Sequence, residues 1–85
     1  MLTIYSKPSC PQCDQAKTLV KQNGLAYKEV MLDVGQPKVD GVEYITRDGL
    51  LSLIPNARMM PQVMREAEHI GSLPELRKWL TAAAK

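Results

Sequence analysis

The sequence predicts a single α/β domain with the element order β-α-β-α-β-β-α, on three observations. Strand-like runs alternate with runs of helical period along the whole chain, with no repeat and no low-complexity tract between them. The only two cysteines, Cys10 and Cys13, stand three apart where the first strand-like run gives way to the first helical one. The 85 residues, 45% of them hydrophobic, suffice for one small core and leave no room for a second domain.

Leu2 to Tyr5 reads as a short strand, broken by Lys7-Pro8-Ser9. From Pro11 to Asn23, the residues Cys13, Ala16, Leu19 and Val20 recur at helical spacing. Pro11 suits a first turn, whose N–H groups have no intrahelical partner, and Gly24 is a ready stop. Ala26 to Leu32, with Tyr27, Val30 and Met31, is a second strand, and Asp33 to Gly41 reads as a loop. Thr46 is placed as the N-cap of a helix whose apolar face is Leu50, Leu51, Leu53 and Ile54, with Pro55-Asn56 as its end and Gly49 as a weak point inside it. Gln62 to Met64 and Glu68 to Ile70 form a hairpin across Arg65-Glu66-Ala67, a turn without the favoured glycine. Pro74 opens a last helix, and Leu76, Trp79, Leu80 and Ala83 give it one apolar stripe, with Leu76, Trp79 and Leu80 expected in the core.

Composition excludes several classes of function. A formal charge of +2, from basic residues scattered among acidic ones, offers no stripe for nucleic acid. Met1 to Ser6 lacks the apolar run of a secretory signal, and nowhere do eighteen apolar residues run together to cross a bilayer, so the expected place is the cytoplasm. In a reducing compartment a permanent disulfide is disfavoured, so the cysteines are read as catalytic, redox-sensing or metal-binding. A closed zinc site wants four ligands, and two cysteines with the single His69 leave it short, so no metal is expected.

The order of elements, with Cys-x-x-Cys at the first strand-to-helix junction, resembles the thioredoxin fold. That implies a central four-stranded mixed sheet flanked by three helices. The details are similar to the glutaredoxin family, in its short bacterial and phage-like dithiol form. Lys7-Pro8-Ser9-Cys10-Pro11-Gln12-Cys13 resembles the family's Lys-Pro-x-Cys-Pro-Tyr-Cys, Ala57-Arg58-Met59-Met60-Pro61-Gln62-Val63 resembles its Ala-Arg-Thr-Val-Pro-Gln-Ile, and Glu68-His69-Ile70-Gly71 resembles its Glu-His-Ile-Gly-Gly. The resemblance implies a monomeric thiol–disulfide oxidoreductase that reduces protein disulfides and glutathione mixed disulfides. Glutathione is its reducing co-substrate, and ribonucleotide reductase is the implied client.

The position of the cysteines assigns their roles. Cys10 lies at the approach to a helix, where unpaired N–H groups, the macrodipole and the nearby Lys7 favour a thiolate, so it is the nucleophile. Cys13, one turn inside, should be the more buried sulfur and is the resolver. Asp14 tempers the activation of Cys10. The resemblance further implies a glutathione site made of Lys7, which would meet the glycine carboxylate, Gln12, the Met60 backbone, Pro61 as a cis proline, and Gly71, Ser72 and Glu75. Arg47 and Arg58 are named as further contacts with no motif behind them.

Several residues depart from the family pattern. Gln12 stands in the place of the usual Tyr, and Met59-Met60 in the place of Thr-Val, with side chains read as ordinary core fillers. Ser72 replaces a glycine, and Pro74 removes a backbone N–H that would meet the γ-glutamyl carboxylate. Gly71-Ser72-Leu73-Pro74-Glu75 is similar to the run in redoxins reduced by thioredoxin reductase, which is the alternative reading. An iron–sulfur cluster carrier is a third, against which Pro11 stands where cluster carriers have Gly or Ser. His69 is read as a strand residue.

Overall fold

The computed structural model describes residues 1–55, 57 and 59–83; Asn56, part of the stop expected after the second helix, and Arg58 lie outside the described residues. Five strands, β1 (Leu2–Ser6), β2 (Tyr27–Leu32), β3 (Glu43–Ile45), β4 (Gln62–Arg65) and β5 (Glu68–Gly71), and three helices, α1 (Pro11–Gln22), α2 (Arg47–Leu53) and α3 (Leu73–Ala83), follow in the order β1-α1-β2-β3-α2-β4-β5-α3. The sheet runs β3-β2-β1-β4-β5, so β1 is its central strand. β1 pairs in parallel with β2 and β2 with β3, whereas β4 is antiparallel to both β1 and β5.

The expected four-stranded sheet is thus corrected to five strands. Glu43-Tyr44-Ile45 is too short to show an alternation of its own, and it becomes a strand only because the outer edge of β2 is free to pair with it. Asp33 N–H donates to the Ile45 carbonyl at 2.8 Å, and Val39 N–H donates to the Tyr44 hydroxyl at 2.8 Å, which closes the intervening loop.

Alternation along β1 divides the core into two layers. Leu2 and Ile4 point to the face covered by α1 and α3, where they meet Ala16, Val20, Val63, Leu73, Leu76 and Leu80, with Trp79 only partly buried against them. Tyr5 points to the other face, with Val30, Leu32, Leu50, Ile54 and Ala57. Each fully buried Leu or Ile is worth about 1.5–3 kcal/mol. α2 begins at the expected cap, since the Thr46 hydroxyl accepts the Gly49 N–H at 3.0 Å. The tight turn between β4 and β5 places Glu66 at φ 54°, a left-handed conformation for which glycine would be preferred.

One polar cluster ties β1, β2 and α1 together. Glu29 Oε2 accepts from the Ser6 hydroxyl and from the Lys17 ammonium, each at 2.7 Å. Partial burial raises the Glu29 carboxyl, but the hydrogen bonds from Lys17 and Ser6 and the Lys17 charge outweigh it, and the net shift is below the ordinary 4.5. A depressed carboxyl contributes stability above its unfolded value that is lost as pH falls through the folded one. We therefore expect the melting temperature to drop as pH is lowered from about 5 through the carboxylate range, and Glu29→Gln to flatten part of that drop. An unaltered pH slope in Glu29→Gln would show that the carboxylate adds nothing.

Candidate active site

The segment Lys7-Pro8-Ser9 carries the chain from β1 to α1, with Ser9 at φ 55° making the sharp entry. Cys10 is itself the N-cap of α1, with extended backbone at φ −120° and ψ 96°, and Pro11 follows in the first turn. The Cys10 Sγ accepts the Cys13 N–H at 3.1 Å, the place that a serine or aspartate oxygen takes in an ordinary cap. Because that N–H belongs to the positive end of the helix, the contact favours negative charge on this sulfur. Cys10 and Cys13 are joined by a disulfide across 5.2 Å between their Cα atoms. Their exposures are 8% for Cys10 and 1% for Cys13, so the outer sulfur is the one a substrate can reach. Asp14 turns its carboxylate to Lys17 at 3.4 Å, a pairing that offsets its charge.

Beside the disulfide lies an open cavity of about 460 Å³ lined by Lys7, Ser9, Cys10, Pro11, Gln12, Met59 and Met60. A smaller one of about 90 Å³ continues from it, sharing Lys7, Met59 and Met60 and reaching Arg47 and Leu51. Lys7 belongs to no ion pair among the described residues. The Met60–Pro61 peptide is cis, as the resemblance implies, and Pro61 is fully buried. The register Tyr5↔Gln62 brings the end of this segment level with the end of β1.

The structure thus gathers Lys7, Cys10, Gln12 and Met60 around one cavity, with Cys13 and Pro61 buried among the same elements. Gly71, Ser72 and Glu75 do not line it; they stand at the end of β5 and the start of α3. The Ser72 carbonyl accepts the Leu76 N–H at 2.9 Å, which makes Ser72 the N-cap of α3. Glu75 Oε1 accepts both the Ser72 N–H at 2.9 Å and the Ser72 hydroxyl at 2.6 Å. Those two hydrogen bonds, the hydroxyl's first, hold the Glu75 carboxyl below its ordinary range. Gly71, at φ 129°, leaves room for this arrangement, since a Cβ there would lie 2.7 Å from the Glu75 side chain. The spacing Ser72-x-x-Glu75 is that of a capping box, of which the Glu75-to-Ser72 N–H half is formed, so two residues expected to meet a ligand meet each other instead.

Met59 was missed as a lining residue. It is 58% exposed and walls both cavities, so it is not the core filler expected; its place next to Met60-Pro61 was the available signal. Arg47 reaches the smaller cavity, and Arg58 is outside the described residues.

Comparisons with known proteins agree with this geometry. The glutaredoxin family model matches residues 2–70. Glutaredoxin 3 of Escherichia coli K12 is 33% identical over 73 residues, spanning 86% of this chain and 77% of that protein. The buckwheat glutaredoxin–glutathione complex superposes with a TM-score of 0.70 at 26% identity, covering 96% of this chain and 69% of that one. Glutaredoxin 1 from Francisella tularensis, complexed with cacodylate, gives a TM-score of 0.71 at 23% identity over 98% of this chain and 94% of that one, which shows the shared thioredoxin fold.

Proposed function

The chain belongs to the glutaredoxin family of thiol–disulfide oxidoreductases, and on that premise we propose that it reduces protein disulfides and glutathione mixed disulfides with glutathione as co-substrate. The observation that carries the reading is the Cys10 sulfur at the N-terminus of α1, accepting a helix N–H beside a cavity walled by Lys7.

In the reduced protein the Cys10 thiolate attacks one sulfur of the substrate disulfide. A Cys10–substrate mixed disulfide forms, and the other substrate sulfur leaves as a thiolate that takes up a proton. Cys13 then gives up its proton and attacks the Cys10 sulfur, which releases the second substrate thiol and closes the Cys10–Cys13 disulfide. One glutathione opens that bond at Cys10, and a second attacks the bound glutathione sulfur, leaving oxidised glutathione and the reduced dithiol. Lys7 is proposed to meet the glycine carboxylate, Gln12 and the Met60 backbone to orient the cysteine of glutathione, and Pro61 to back them against the sulfurs. Gly71 and Ser72 complete the proposed set at α3, where Glu75, expected as a further contact, already accepts the Ser72 N–H and hydroxyl. The protein is proposed to act as a monomer in the cytoplasm, and ribonucleotide reductase is its proposed client on the resemblance alone. No helix among the described residues is long and apolar enough to cross a membrane.

A second reading has its own observation. The Ser72 N–H is already taken by Glu75, and Pro74 has no N–H to offer, so an incoming carboxylate finds few free donors at α3. This supports reduction by thioredoxin reductase instead. A coupled assay decides between the two: NADPH oxidation with a glutathione mixed disulfide is expected to require glutathione and glutathione reductase. Turnover with thioredoxin reductase alone would favour the second reading, and no turnover with either source would overturn both. Iodoacetamide alkylation of reduced Cys10, followed against pH, is expected to show the thiolate forming below the ordinary cysteine value of about 8.5. A midpoint at or above that value would show that the helix N–H groups and Lys7 do not activate this sulfur.

A further inference from the structure

A buried amide behind the dithiol has no part in the mechanism above. Gln62, the first residue of β4, is 5% exposed. A buried amide is tolerated only where its polar atoms are bonded. Both ends of this one are. The Gln62 Nε2 donates to the Met59 carbonyl at 2.7 Å, and its Oε1 lies 2.8 Å from His69 Nε2 on β5. A carbonyl can only accept, so the amide nitrogen must face Met59, the amide oxygen must face His69, and His69 must present Nε2–H. The direction of the chain His69→Gln62→Met59 is thereby determined.

Met59 and Met60 lie outside regular structure, so no strand partner holds this carbonyl. They are nevertheless the wall that both cavities beside Cys10 share. We infer that Gln62 and His69 are positioning residues for the proposed reaction, holding the Met59–Met60 wall at the height where a substrate disulfide lies against it. The inference rests on the functional reading above. Because neither residue is hydrogen-bonded to a sulfur, the pair should act on substrate docking and leave the nucleophile unchanged.

The test is a single-turnover measurement that needs no external electron source. Pre-reduced protein is mixed with increasing glutathionylated peptide, and the half-saturation concentration and limiting rate are read separately, together with iodoacetamide alkylation of Cys10 and the melting temperature. Gln62→Leu is expected to raise the half-saturation concentration roughly three- to tenfold, the loss of about one hydrogen bond, with the limiting rate and alkylation rate within about twofold of the wild type. His69→Phe should shift it in the same direction, and His69→Gln, which keeps an N–H donor, should restore it. If Gln62→Leu does not fold, the two His69 variants decide. An active wild type with unchanged half-saturation in His69→Phe would overturn the inference alone. Equal losses of limiting rate and alkylation in the variants would also overturn it, by showing a general structural role. A wild type inert toward the peptide would overturn the functional reading and the inference with it.

Discussion

Cys10→Ser is expected to abolish reduction of every disulfide substrate, whereas Cys13→Ser should still release glutathione from a glutathionylated peptide. The asymmetry follows from the positions of the sulfurs. Cys10, at the N-cap, accepts a helix N–H and borders the cavity, while Cys13 is sealed one turn inside at 1% exposure. Only the outer sulfur can begin the attack, and a serine hydroxyl in its place is a far weaker nucleophile at neutral pH. In Cys13→Ser the mixed disulfide on Cys10 can still be cleared by a second glutathione, but a protein dithiol client loses its resolving thiol and should accumulate as a covalent complex. Non-reducing gels and peptide deglutathionylation rates measure the two outcomes. If both mutants are equally inactive toward the glutathionylated peptide, the division of labour is wrong.

The pair Pro74→Ser with Glu75→Gln is expected to lower the Michaelis constant for a glutathione mixed disulfide roughly tenfold or more. Glu75 now takes both the N–H and the hydroxyl of Ser72, and a ligand carboxylate would have to displace it. Removing the competing charge and restoring the N–H that proline lacks should return about one charge-assisted hydrogen bond to the ligand, worth about 1.5–3 kcal/mol. Weakening of the Ser72–Glu75 contacts should at the same time lower the melting temperature. Cys10 alkylation should be unaffected, because Pro74 and Glu75 do not line the cavity beside Cys10. An unaltered Michaelis constant, with the melting temperature lowered, would show that the ligand carboxylate is not held at the start of α3.

Much of this architecture was legible in the sequence wherever a few neighbouring residues decide the outcome. Pro11 and Gly24 bracket α1, Thr46 caps α2, and the spacing of Leu76 and Leu80 orients α3, all effects within one or two helical turns. The Cys10–Cys13 pairing is of the same kind, since residues three apart at a helix start are already within disulfide reach. Other features were decided only by contacts between distant segments. β3 exists because the edge of β2 was open to it, and its three residues hold no periodicity of their own. Met59 and Met60 are interchangeable as apolar residues, and only the assembled fold shows that Met59 lies open beside the dithiol. His69 reads as one more strand residue until β5 lies beside β4 and brings its ring to Gln62, seven residues away. Local spacing thus determined the helices and the redox pair. The sheet edge and the wall beside the dithiol depend on pairing energies that arise only once the strands are assembled, and no single segment carries them.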